Sequence, residues 1–223
     1  MKNSNRLIIL YLILFLNNNL LLLSQNKYEK NFYGGLFYLS EYIASDEFKS
    51  LKEKNSDLEQ VDSIFSKALR FFEGDISEAC LCLTFATLPF NNIKVQLPMI
   101  HSQIIVPLPS AGIKLFEAKT KNIPKYLFID SPQNDFGDKD KLAHFFGNAF
   151  LSYNFGWFNF SKFMGIFVEK VEDGFFTEGS FDRKDLIINA LGELFGKEII
   201  NNENLSPSKV LKIYQLLYFR LRL

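Results

Sequence analysis

The 223-residue chain is short of histidine (two), cysteine (two) and tryptophan (one), and has no excess of either charge, with 25 basic against 25 acidic residues. Each shortage excludes something. A balanced chain without a long Lys/Arg run does not point to a nucleic-acid partner, which calls for a basic surface. His101 and His144 stand too far apart to form an H-E-x-x-H zinc motif. Cys80 and Cys82 are separated by one residue. A disulfide across so tight a ring is strained and removes almost no loop entropy. Two thiols alone do not complete a zinc site. These cysteines are expected as small apolar core residues rather than a redox pair. Ser102 and Ser110 have no G-x-S-x-G setting, and no phosphate-loop or dinucleotide fingerprint occurs.

Long apolar runs are also scarce. Lys2 and Arg6 precede ten apolar residues at 7–16; Asn17, Asn18 and Asn19 interrupt, apolar residues resume at 20–23, and Ser24-Gln25 follows. That is the pattern of an export signal, and the run before the asparagines is short for a bilayer span. Residues 1–24 are read as a signal peptide or N-terminal anchor, without a lipoprotein-type cysteine. Residues 25–223 are read as one helix-rich domain, large enough to bury a substantial core. The expected location is the cell envelope, periplasmic or membrane-associated.

The expected fold is mainly α: a compact helical bundle with a small β-hairpin or irregular insertion around residues 93–128. Residues 57–72 place Leu58, Val61, Ile64, Phe65, Ala68, Leu69 and Phe72 at helical spacing, and Gly74 stops them. Residues 28–40 read as a loop passing into a helix, 45–54 as a solvated helix or loop, and 76–88 as apolar and ambiguous. Pro89, Pro98, Pro107, Pro109 and Pro124 exclude long helices between them. There, residues 93–97 alternate like a strand, 103–106 can pair with them, and 126–129 are a third short extended candidate. Asp138 is the expected N-cap of a helix beginning there. Residues 142–161 carry no formal charge but are broken by Gly147, Asn148 and Gly156, so a helical hairpin in the core or at a membrane surface is expected rather than a span. Ser206-Pro207 opens a last helix.

What is present in quantity is aromatic: 25 of the residues are phenylalanine, eight of them between Phe145 and Phe167. Such density suits a thick aromatic core or a surface that meets lipid headgroups. Within this region, three segments carry narrow polar or small stripes on otherwise apolar helices. They are Asp140-Lys141-x-x-His144-Phe145-x-Gly147-Asn148, Gly165-x-x-x-Glu169-x-x-Glu172-Asp173, and Lys184-Asp185-x-x-x-Asn189-x-x-Gly192-x-x-x-Gly196. A surface helix has the opposite balance, so these stripes are expected to point inward and meet.

The ordered set resembles the YfiM-like family of bacterial envelope proteins, related in pattern to VanZ-like proteins, over residues 138–196. The resemblance implies an envelope location and a compact helical unit, and no established activity. Val168 stands where a lysine commonly precedes the first glutamate, and Asn189 where an acid often occurs.

His144, Glu169 and Asp185 are the catalytic candidates. Asp140, Lys141, Asn148, Glu172, Asp173 and Asn189 complete a ligand-binding set or polar network, and Gly147, Gly165, Gly192 and Gly196 are expected to permit close helix packing. A histidine among carboxylates can hold a divalent metal and activate water, but with one histidine a metal is not favoured. The favoured reading is a non-catalytic, membrane-proximal binding or structural module with a buried His/Asp/Glu network, its partner a membrane surface or envelope lipid. The alternative is a metal-assisted hydrolase acting on an envelope lipid or glycan precursor. A further reading has Lys141 and helix N-termini holding a phosphate or carboxylate. Structural and chemical readings separate on one point: a structural network seals His144, whereas a working site opens it to solvent.

Overall fold

The computed structural model describes residues 29–97, 102–156 and 183–220. Helices α1 (Phe32–Ala44), α2 (Asp46–Lys52), α3 (Asp57–Phe71) and α4 (Ile76–Ala86) come first. A hairpin of β1 (Asn92–Leu97) and β2 (Ser102–Pro107) follows, then α5 (Ile113–Asn122), α6 (Lys141–Asn154), α7 (Arg183–Glu198), α8 (Pro207–Leu211) and α9 (Ile213–Arg220). The protein is therefore mainly helical with one small antiparallel sheet, as its sequence implies.

Local chemistry accounts for several boundaries. Ser56 and Glu59 form a reciprocal capping box at the start of α3, satisfying two otherwise orphan N–H groups. Ser45 and Asp75 cap α2 and α4 through the N–H groups of Phe48 and Glu78. The ambiguous segment at 76–88 is helical because it is buried nearly all round: Ala79, Cys80, Cys82, Leu83 and Ala86 are all core residues. Cys80 and Cys82 are free and buried on this helix, where burial pushes the Cys80 thiol up to about 12. A buried thiol that resists ionising is an inert packing residue.

Four boundary expectations change. Gly34 and Gly35 lie inside α1, not in a loop. The space between Pro109 and Pro124 accommodates α5, because each proline falls outside the helix. Residues 126–129 form no strand; the backbone N–H groups of Lys125 and Tyr126 donate to the Asp57 carboxylate instead. Asp138 caps nothing. The helix begins at Lys141, and Asp138 is buried, bonded to Ser131 and to Lys184 at 3.2 Å. Burial raises the Asp138 pKa, although Ser131 and Lys184 pull it back.

The core is layered. α6 packs on α7 on one side and α4 on the other; α4 packs on α1, and α1 on α5, with α3 crossing α4 and touching α8. Phe145, Phe146 and Phe195 are fully buried where α6 and α7 meet, with Phe65 of α3 stacked over Phe146 at 6.2 Å between ring centroids. None of the described helices is long and apolar enough to cross a membrane. The uncharged stretch of α6 spends its apolar residues in this core.

The last helices are tied down by a distant acid. Ser206 occupies the N-cap of α8 but makes no side-chain cap bond. Asp62 of α3 takes that role, accepting from the Ser208 N–H at 2.8 Å and the Ser208 hydroxyl at 2.6 Å. Asp62→Ala is expected to cost about 1–2 kcal/mol in urea unfolding, the range for a lost helix cap, and to increase proteolysis after Lys209 and Lys212.

Candidate functional site

The seam between α6 and α7 brings the first and third sequence stripes together. Gly192 and Gly196 make this possible. A Cβ on Gly192 would collide with the Phe145 carbonyl oxygen and sit 3.1 Å from the Asn148 Cβ. A Cβ on Gly196 would collide with the Ala149 carbonyl and the Ser152 hydroxyl. The Ser152 hydroxyl also donates across the seam to the Glu193 carbonyl at 3.0 Å. Gly147 behaves differently: it faces α4, where the nearest atom to a Cβ would be Thr84 Cγ2 at 3.4 Å, an ordinary contact. Gly165, Glu169, Glu172 and Asp173 lie outside the described residues.

Adjacent residues at the start of α7 reach in different directions. Lys184 pairs with Asp130 at 3.0 Å and Asp138 at 3.2 Å, and the Tyr214 hydroxyl donates to the other Asp130 oxygen at 2.8 Å. This anchors the helix to the turn before α6. Asp185 turns instead to the Lys141 ammonium, which also holds Asp140 at 2.9 Å. Burial alone would depress the Lys141 pKa, but hydrogen bonds and charge from Asp185 and Asp140 override it and hold the group above its ordinary value. Lys141 is therefore cationic and committed to two carboxylates. The expectation that it grips a phosphate loses its free cation.

His144 sits one turn beyond Asp140 with its side chain 42% exposed and its Nε2 4.0 Å from Asp185 Oδ1. Its ring orientation follows from a chain of hydrogen bonds that begins at the backbone. Asn148 Nδ2 donates to the His144 carbonyl at 2.9 Å, which identifies that amide atom as nitrogen. The same nitrogen lies 2.7 Å from Asn189 Oδ1, which must then be an acceptor. His144 Nδ1 faces that oxygen at 3.2 Å and so carries the ring proton. The neutral imidazole is left with its lone pair on Nε2, as in histidines that serve as bases or ligands. Asn189 is what sets this tautomer.

The network is thus buried at Lys141 and Asn189 and open at His144. His144 lines a cleft of about 310 Å³ with Asp140, Ala143, Gly147, Asn148 and Leu151 on the α6 side. The opposite wall is Thr84, Leu88 and Phe90. Sequence reasoning missed that wall. These residues precede His144 by 54 to 60 positions and carry no polar pattern; only the packing of α4, and of the chain just after it, on α6 brings them in. Thr84 has its hydroxyl donated to the Cys80 carbonyl at 2.9 Å, so it is not poised as a nucleophile. Asp140, His144 and Asp185 each offer a ligand atom, all within 4.8 Å of one another. No family model, curated protein or solved structure matches the chain.

Proposed function

We propose that this protein is a non-catalytic, membrane-proximal binding module of the bacterial cell envelope, akin to YfiM-like proteins, and that its ligand enters the His144 cleft. The observation that carries this is His144 on the cleft wall with its side chain 42% exposed, its Nδ1 held 3.2 Å from Asn189 Oδ1 and its Nε2 not taken by a hydrogen bond to Asp185, which stands 4.0 Å away. Two carboxylates against one ammonium leave the site with about one net negative charge while the imidazole is neutral. Such a site suits a ligand that donates hydrogen bonds, a hydroxyl or an ammonium, over a phosphate. The basic start and apolar run at residues 2–16, and the order of the motifs at 140–148 and 184–196, support the envelope reading.

A metal-assisted hydrolase acting on an envelope lipid or glycan precursor is the second reading, favoured by the convergence of Asp140, His144 and Asp185. A divalent cation there would compete with the Lys141 ammonium, which already holds one oxygen of each carboxylate, and that opposes binding.

The test follows the ring nitrogens of His144 by NMR. The free protein is expected to show the proton on Nδ1. Adding dihexanoyl phosphatidylglycerol or dihexanoyl phosphatidylethanolamine below the micelle concentration should shift Nε2 saturably. The Asn148 and Asn189 side-chain amides should shift with the same saturation, and His144→Ala should remove that amide response while costing no more than about 1 kcal/mol of stability, the worth of one partly exposed hydrogen bond. Near-stoichiometric metal in protein purified without chelator, lost in His144→Ala, would replace this reading with the hydrolase. A steep loss of stability without a ligand response would make the seam purely structural.

A further inference from the structure

The described polar side chains that line the His144 cleft have spent their donors and kept acceptors. Thr84 gives its hydroxyl proton to the Cys80 carbonyl. Asn148 uses its Nδ2 on the His144 carbonyl and on Asn189 Oδ1, which leaves its own Oδ1. His144 turns its Nδ1 proton to Asn189 and keeps the Nε2 lone pair. Asp140 holds the Lys141 ammonium with Oδ2 and retains Oδ1. Each remaining group can accept a hydrogen bond and none can donate one.

The acceptors are arranged along one edge. Asp140, His144 and Asn148 stand one turn apart on α6, and Ala143, Gly147 and Leu151 form a second stripe about 60° round the helix. The facing wall adds Leu88 and Phe90, the latter 39% exposed. The cleft therefore has an acceptor edge beside an apolar floor. A carboxylate oxygen of Asp140 and a ring nitrogen of His144 lie within 4.8 Å of each other. One donor nitrogen can bridge that span with two hydrogen bonds of about 2.8 Å. The Asp140 carboxylate already accepts from one ammonium, that of Lys141 at 2.9 Å. At about 310 Å³ the cleft is at the small end for ligand sites, so the body it accepts is small.

The inventory sorts ligands. A phosphate or carboxylate would set acceptors against acceptors. A hydroxyl brings one donor and no charge. A primary ammonium brings three donors and a positive charge to a site with one carboxylate in excess of Lys141. We propose that the His144 cleft recognises a primary ammonium on a small apolar body, with the ammonium between Asp140 and His144 and the body against Leu88, Phe90 and Leu151. This rests on the cleft reading above and names the class of ligand it takes. The same chemistry is found in a soluble aryl or alkyl amine and in an aminophospholipid headgroup.

The test titrates three probes with one aromatic body into the full chain at pH 7: phenethylamine, phenethyl alcohol and hydrocinnamate. Binding is followed at the Asn148 and Asn189 side-chain amides. The amine should bind about ten-fold or more tighter than the alcohol, and the carboxylate should not bind, because hydrogen bonds to a charged donor are the stronger ones. Asp140→Asn should weaken the amine about ten-fold and leave the alcohol within about two-fold. Lys141 keeps Asp185 in that variant, so its melting temperature should stay close to wild type. Alcohol binding as tight as the amine, or equal loss of both probes in Asp140→Asn, would overturn the proposal and leave the cleft reading standing. Two further arms locate the ammonium. A response to dihexanoyl phosphatidylethanolamine that matches phenethylamine, with none to dihexanoyl phosphatidylglycerol, would place it on a lipid headgroup, and a response to phenethylamine alone on a soluble amine. Equal response to both lipids with none to phenethylamine would overturn the ammonium requirement. Silence of the cleft toward all five probes would remove the cleft reading itself.

Discussion

Gly192→Ala is expected to destabilise the protein by about 2 kcal/mol, whereas Gly147→Ala on the facing helix should be neutral or stabilising by up to about 1 kcal/mol. Both replace a helical glycine, and alanine gains about 1 kcal/mol of helix propensity at either place. The difference lies in what the new methyl group meets. At Gly192 it meets the Phe145 carbonyl oxygen, a backbone atom of a helix packed from behind by α4, which cannot rotate away. Overpacking of this kind costs about 1–3 kcal/mol, and here the upper part of that range applies. At Gly147 the nearest atom is the end of the Thr84 side chain at 3.4 Å, which needs no adjustment. Urea unfolding of the two variants beside wild type decides the matter. A Gly192→Ala protein as stable as wild type would mean that α6 and α7 are not in backbone contact. The variant has a second readout at the site: moving α7 away takes Asn189 from His144 Nδ1, so the ring should lose its single tautomer.

Between pH 7 and pH 9 the protein is expected to gain about 2–3 kcal/mol of stability, and Lys119→Met is expected to remove most of that slope. Lys119 is 1% exposed, with its Nζ donating to the Ala86 and Leu88 carbonyls at 2.8 and 2.5 Å. Phe116 lies beneath it at 4.9 Å. The amine thus ties α5 to the end of α4 and the chain leading into the hairpin. Burial without a carboxylate partner lowers its pKa from 10.5 to about 7. The folded protein therefore releases this proton near neutral pH while the unfolded chain keeps it to about 10.5, so stability rises with pH across that interval. At about 1.36 kcal/mol per pH unit, the two units from 7 to 9 supply the stated gain. Above pH 9 the buried thiols act in the other direction, because Cys80 stays protonated to about 12 in the fold and ionises from about 9 when unfolded. Urea midpoints of wild type and Lys119→Met at several pH values in this window give the slope directly. Equal slopes would show that Lys119 is not buried as an uncompensated amine.

Much of the helical framework could be read from local pattern. Helix α3 announces itself through its apolar spacing and the Ser56/Glu59 pair, both local properties. The hairpin shows in alternation bounded by prolines, and residues 93–97 do pair with 103–106 as expected. Helix α4 was ambiguous because a segment buried on nearly every side has no periodicity to betray it. Asp138 looked like a cap because sequence reports residue type, and a buried aspartate held by Ser131 and Lys184 has the same letter as a capping one.

Of the site, the sequence by itself determined the intervals: Asp140, Lys141, His144 and Asn148 on one helix, and Asp185 and Asn189 on another, each group spaced to share a stripe, whatever the stripe meets; Glu169, Glu172 and Asp173 of the same expected set lie outside the described residues. Tertiary structure alone decided which partner each one takes. Lys141 goes to Asp185 and Asp140, so its charge is already committed, and Asn189 fixes the His144 ring. It also decided that His144 is half-exposed on a cleft whose far wall is built from Thr84 of α4, Leu88 and Phe90. The division has a physical cause. Helix geometry is set by neighbours three and four residues away, whereas an ion pair or a cleft wall is set by packing between segments tens of residues apart.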